Sequence, residues 1–191
     1  MNPHESEFLF ARKEAHASKA GEESIVKKKI VTCITIVLIL CIYGVMFGFS
    51  AQNGEQSGDL SFLVSRQLVR FADFFSMDTW TAEEMNTRAE QIDFLIRKAA
   101  HFSEYAALGF LEFGLAVMWM KPGKRRVCLI VGILLFSGGL DEFHQMFVPG
   151  RYPSFWDVLL DTAGGLSGMA LLSFINLVAL GRKQTAGNTG S

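Results

Sequence analysis

Between Ile30 and Phe49 the chain carries no charged residue, and a lysine triplet, Lys27-Lys28-Lys29, stands immediately before that run. As a helix rising 1.5 Å per residue, the run reaches roughly 30 Å, the thickness of a bilayer's hydrocarbon core. A cleaved leader fits poorly. The polar stretch ahead of it is too long, the apolar core exceeds a typical leader core, and no A-x-A site follows. An uncut membrane anchor is the expectation, and it limits the rest of the chain to folds that satisfy their backbone inside lipid.

Later segments support the same class. Ala99–Met120 is long enough to span, although it carries His101, Glu104 and Glu112. Val127–Leu140 is apolar but covers only roughly 21 Å as a helix. To cross, it must take in part of Asp141-Glu142-Phe143-His144-Gln145. Phe155–Leu180 is a last run, containing Asp157 and Asp161. Charged residues are 19% of the chain against 50% hydrophobic, below the roughly 25% charged of a soluble domain. A net charge of -1 gives no sign of nucleic-acid binding. Cys33, Cys41 and Cys128 sit in apolar runs without metal-motif spacing, so neither a disulfide framework nor a zinc knuckle is indicated.

The expected fold is an all-α membrane protein, a four-span helical bundle with spans at about 30–49, 99–120, 127–146 and 155–180. Residues 1–29 read as a flexible cytoplasmic tail, and 181–191 as a second tail. The segment 50–98 is expected on the extracytoplasmic side, opening with a turn at Ser50-Ala51-Gln52-Asn53-Gly54. Leu60, Leu63, Val64, Leu68, Phe71 and Phe75 fall at helical spacing, as in an amphipathic helix on the membrane surface or packed on the bundle. Thr81 and Glu84 form a capping box for a further helix that runs into the second span. Lys and Arg gather at Lys27–Lys29, at Lys121, Lys124, Arg125 and Arg126, and at Arg182 and Lys183. The positive-inside rule then places both termini in the cytoplasm.

With that topology the polar residues of separate segments converge on one side of the membrane. His101 and Glu104 are i,i+3 neighbours, with Lys98 one turn earlier and Glu112 three turns deeper. If the third span stays helical, Asp141, His144 and Gln145 share a face. Asp157 and Asp161 are i,i+4 neighbours, and Gly164-x-x-x-Gly168 continues their stripe in a pattern that lets helix backbones approach closely. Buried carboxylates need a cation, a donor or a proton, and His101, His144, Arg151, Arg97 and Lys98 are the candidate partners. Simpler roles stand beside these: an interfacial hydrogen bond for His101 and Glu104, a helix cap for Asp157, an anchor for Trp156, and a tight turn at Val148-Pro149-Gly150-Arg151.

Ordered motifs in this chain resemble the VanZ-like family of bacterial membrane proteins. They are Arg97-Lys98-Ala99-Ala100-His101-Phe102-Ser103-Glu104-Tyr105 with Gly109, then Asp141-Glu142-Phe143-His144-Gln145-Met146-Phe147-Val148-Pro149-Gly150-Arg151, then Asp157-Val158-Leu159-Leu160-Asp161 with Gly164. Phe49-Ser50-Ala51-Gln52 and Ser57 are similar to the family's segment after its first span. The resemblance covers roughly residues 30–180. It implies a cell-envelope protein of the bacterial cytoplasmic membrane, linked to glycopeptide (teicoplanin) resistance.

Three functions are compatible with these residues. The first is a binding protein for a membrane lipid, a lipid-linked cell-wall precursor or a lipidated glycopeptide at the outer leaflet. Lys98, Glu142, Gln145, Arg151, Asp157 and Asp161 would be its ligand-binding candidates, and Gly164 and Gly168 would pack its helices. The second is a membrane-embedded hydrolase or transferase acting on an envelope lipid phosphate. Its catalytic candidates are His101, Glu104, Asp141 and His144, and Asp157, Asp161 and Glu142 could hold a divalent metal. The third is a proton-coupled transporter using Glu112 and His101, for which a homo-oligomer could supply additional spans.

Overall fold

The computed structural model describes the backbone of residues 3–76 and 79–188 and the side chains of 18–19, 21–53, 57–76 and 79–182. The described residues form five helices: α1 (Pro3–Ser50), α2 (Gly54–Phe75), α3 (Ala82–Trp119), α4 (Lys124–Gln145) and α5 (Phe155–Asn188). By contacts the chain divides into two units, Met1–Leu38 and Ile39–Ser191. In the first, the described backbone is helix throughout, and its described side chains are mostly exposed. Residues 3–29, expected as a flexible tail, are therefore helical and run on into the apolar segment without a break. At the other end, 181–188 is helical as well. Residues 1–2 and 189–191 of the two expected tails lie outside the described residues.

Local chemistry sets the helix ends of the second unit. α1 stops at Ser50, and the expected exit turn follows. α3 opens on the expected capping box: the Thr81 backbone N–H donates to Glu84 Oε2 at 2.7 Å, and the Glu84 N–H donates to Thr81 Oγ1 at 3.3 Å. Lys121-Pro122-Gly123 separates α3 from α4, with Gly123 at φ 152°, a backbone angle that favours glycine. α4 runs to Gln145, so Asp141, His144 and Gln145 are helical as required. The Arg151 N–H then closes a turn onto the Val148 carbonyl at 3.2 Å, with Gly150 at φ 75°.

Among the described residues, three helices are long and apolar enough to cross a membrane: Gly21–Ser50, Lys124–Gln145 and Phe155–Arg182. α3 falls short by composition, because His101, Glu104 and Glu112 dilute its apolar half. It is nonetheless the central helix of the second unit, packing against α2, α4 and α5. Tyr105, Leu108, Phe113 and Ala116 of α3 form a core with Met46, Ile130, Leu134 and Met169. Large apolar side chains such as Phe136, Phe174 and Leu177 point outward. So broad an apolar exterior is what lipid, and not water, accommodates.

Glycine sets the approach of α5 to α3. A Cβ on Gly168 would collide with the Ala106 carbonyl oxygen, one on Gly164 with the Phe102 carbonyl, and one on Gly109 with the Gly165 carbonyl. A Cβ on Gly132 meets nothing within 4 Å. Gly168→Ala is therefore expected to destabilise the bundle by about 1–3 kcal/mol. Gly132→Ala should be neutral or gain roughly 0.5–1 kcal/mol from lost chain entropy. Melting of the two purified variants beside wild type checks this, and equal midpoints would refute the close-contact account.

The capping box carries a pH signature. The Thr81 backbone and side-chain hydrogen bonds hold the Glu84 carboxyl below its ordinary value. A depressed folded-state value means the cap contributes fully above the usual carboxylate range and is lost as pH falls through the lowered value. The protection factors of the Glu84 and Met85 amides, measured rates corrected for intrinsic exchange at each pH, should fall on acidification in wild type. In Thr81→Ala protection should be low at every pH, and a pH response of the protection factors like that of wild type would exclude the cap as its cause.

Candidate functional site

The polar motifs of α3, α4 and α5 meet around one cavity of about 280 Å³. α3 contributes Arg97, Lys98 and His101, the end of α4 contributes Glu142 and Gln145, the turn contributes Arg151, and α5 contributes Asp157 and Asp161. Asp141, one position before Glu142, is buried at 3% exposure, and Asp161 is buried at 1%. The ligating atoms of His101, Asp141 and Asp161 lie within 4.8 Å of one another.

Each charge around the cavity has a defined setting. Lys98 Nζ pairs with Asp157 Oδ2 at 2.5 Å, tying α3 to the first turn of α5. Arg97 pairs with Asp93 at 3.0 Å and donates to Ser61 Oγ of α2 at 3.3 Å. Arg151 donates to the carbonyls of Gln52 at 3.3 Å and Phe49 at 3.2 Å, so the α4–α5 turn is fastened to the end of α1. Burial, with Arg97 nearby, pushes the Arg151 guanidinium below its ordinary value, although arginine stays protonated in proteins. Glu142 Oε2 accepts the Ser154 N–H at 2.6 Å, and Gln145 Nε2 donates to Asp141 Oδ2 at 2.8 Å.

A second, mainly apolar crevice of about 170 Å³ adjoins the first. Phe49, Leu60, Val64, Ile96 and Glu104 line it, and it shares Arg97, His101 and Arg151 with the polar cavity.

Most of the expected site residues are brought together, with some differences. His144 packs edge-on against Phe47, ring centroids 6.1 Å apart, and lines neither cavity. Among the described residues no hydrogen bond joins His101 to Glu104. A metal set of Asp157, Asp161 and Glu142 was read from the sequence, but Asp157 is paired with Lys98 and Glu142 with Ser154. The residues grouped at ligand spacing are His101, Asp141 and Asp161.

Glu112 finds a partner that spacing along one helix does not reveal. Tyr43 of α1 donates its hydroxyl to Glu112 Oε1 at 2.8 Å and lies 2.7 Å from Ser137 Oγ of α4. The sequence signal was a tyrosine within an uncharged, mostly apolar span. Tyr43→Phe leaves Glu112 and Ser137 without this partner and should cost roughly 1–3 kcal/mol. Glu112→Gln keeps an acceptor for the Tyr43 hydroxyl and carries no charge at any pH, so it should cost less or stabilise. Comparing the unfolding of the two variants tests this order, and a Tyr43→Phe protein as stable as wild type would contradict it.

No curated protein and no solved structure matches the chain. The family model for VanZ/LLP1 matches residues 35–176, which hold every residue lining the cavity and all three ordered motifs. The chain is a membrane protein of the VanZ/LLP1 family.

Proposed function

We propose that this protein binds an anionic amphiphile of the bacterial envelope, a lipid-linked cell-wall precursor or a lipidated glycopeptide, at the outer leaflet of the cytoplasmic membrane. On this reading it contributes to resistance against teicoplanin-type glycopeptides. It crosses the membrane four times, with α3 as the additional span and both termini cytoplasmic.

One observation carries the proposal: a polar cavity and an apolar crevice lie side by side and share Arg97, His101 and Arg151. An amphiphile needs that pairing, with cations for a phosphate or carboxylate and apolar walls for the start of its chain. Arginine suits such a group because its planar fork meets two anionic oxygens at once. The Lys and Arg distribution along the chain supports the orientation. α3 fits inside a bundle even with its carboxyl groups, because Glu112 turns to Tyr43 and its buried face meets α4 and α5.

The second reading is a hydrolase or transferase acting on a lipid phosphate. It draws on His101 beside Asp141 and Asp161 at the cavity, an imidazole placed for general acid–base work. The transporter reading is weaker. Glu112, its central residue, lines neither cavity.

Purified protein in nanodiscs should bind a polyprenyl-phosphate lipid, a lipid-linked wall precursor or teicoplanin. Arg151→Gln and Lys98→Gln should each weaken the bound ligand roughly tenfold, about 1.4 kcal/mol. The lipid-facing Leu177→Ala should leave affinity unchanged. A folded wild type that binds none of the three ligands ends the proposal, as does undiminished affinity in both cation variants. Release of phosphate or a transferred group from the lipid would move the assignment to the second reading.

A further inference from the structure

Two buried carboxylate oxygens in this site have no hydrogen-bond partner among the described residues. Asp141 Oδ1 and Asp161 Oδ1 are both inaccessible and accept no hydrogen bond among the described residues. Asp141 keeps its other oxygen on Gln145, which fixes the direction in which Oδ1 points. The three cations nearby are committed elsewhere. Lys98 pairs with Asp157, Arg97 pairs with Asp93, and Arg151 bonds to the carbonyls of Phe49 and Gln52. Asp141 and Asp161 therefore bury carboxyl groups with no ion-pair partner among the described residues, which is costly unless a cation or a proton sits between them.

The third member of the group shows what that is. His101 brings an imidazole nitrogen from α3 to one carboxylate oxygen of Asp141 from α4 and one of Asp161 from α5, all within 4.8 Å of one another. Side-chain rotation closes that spacing onto a common ion at ligand distances of about 2.0–2.2 Å. One nitrogen and two carboxylate oxygens form a mixed donor set. Calcium and magnesium favour oxygen alone, whereas zinc and manganese accept imidazole and carboxylate together. The Gln145 hydrogen bond to Asp141 is the kind of outer support that orients a ligating carboxylate.

We propose that His101, Asp141 and Asp161 form a binding site for a divalent ion of the zinc or manganese class. Three protein ligands leave further coordination positions. His101 and Asp161 both line the polar cavity, so those positions face it and can take an anionic oxygen. Only this last clause rests on the amphiphile reading above. The ion site itself stands on the three side chains.

The test uses tag-free protein, stripped with a chelator and equilibrated separately with zinc and with manganese, followed by elemental analysis. Wild type should hold about one ion per chain and melt higher with it than without. Asp161→Asn and His101→Gln should lose at least about tenfold in affinity, while Glu112→Gln keeps the ion. Pulsed electron paramagnetic resonance of the manganese form of wild type should show one coordinated imidazole nitrogen, which holds the proposal to account even if a variant fails to fold. Folded wild type that takes up neither ion overturns it, and indicates instead a proton shared by the two acids. Uptake equal in all variants, or manganese without a nitrogen ligand, overturns it as well. Amphiphile binding measured on the same stripped protein separates the two proposals: a ligand bound without any ion uptake keeps the amphiphile reading and removes this one.

Discussion

At Gly109, Gly164 and Gly168 the backbones of α3 and α5 meet with no side chain between them. Lipid is as apolar as leucine, so helices within it gain little by hiding apolar surface from it. They associate through close packing and polar contacts. Here the close packing also builds the site. Gly164 rests on the Phe102 carbonyl, one residue from His101, and Asp161 lies one turn before Gly164 on α5. Gly165 receives the Leu134 side chain of α4, two turns ahead of Asp141. The glycines that lock three helices together thereby bring three ligating side chains to one point.

Polarity in this bundle is arranged from the inside out. Asp141, Glu142 and Asp161 are buried, Lys98, Arg97 and Arg151 are partly exposed around them, and the outward surface is largely apolar. The cations also join elements: Lys98 ties α3 to α5, Arg97 ties α3 to α2, and Arg151 ties the α4–α5 turn to α1. Changing one of them alters the charge of the cavity and the positions of its walls together.

α2 reverses the orientation usual for an amphipathic helix in water. Its apolar face, Leu60, Leu63, Val64, Leu68, Phe71 and Phe75, is exposed, while Ser61 and Ser65 turn toward Arg97 and Asp93 of α3. Periodicity found this helix but left open which face would be covered. In a membrane protein that arrangement follows from the solvent, since polar groups are satisfied against protein and apolar ones against lipid.

Much of the design was legible in sequence because it is local. Helical spans follow from runs of apolar residues, the start of α3 from the Thr81–Glu84 box, the turn from Pro149-Gly150, and the α3–α5 contact from glycine spacing. The helix over 3–29 was missed, because a polar stretch with no apolar face gives periodicity nothing to register, while backbone continuity with the apolar span extends it. The Tyr43–Glu112–Ser137 link was missed because its members are separated by 69 and 94 residues and come from three helices. By itself the sequence determined that this is a helical membrane protein and which polar residues its function can draw on, since both follow from the cost of placing charge and unpaired backbone in lipid. Only the tertiary structure decided that His101 joins Asp141 and Asp161 while His144 turns to Phe47. Partner choice among buried polar groups depends on how closely the helices approach and at what rotation, which spacing along one chain does not contain.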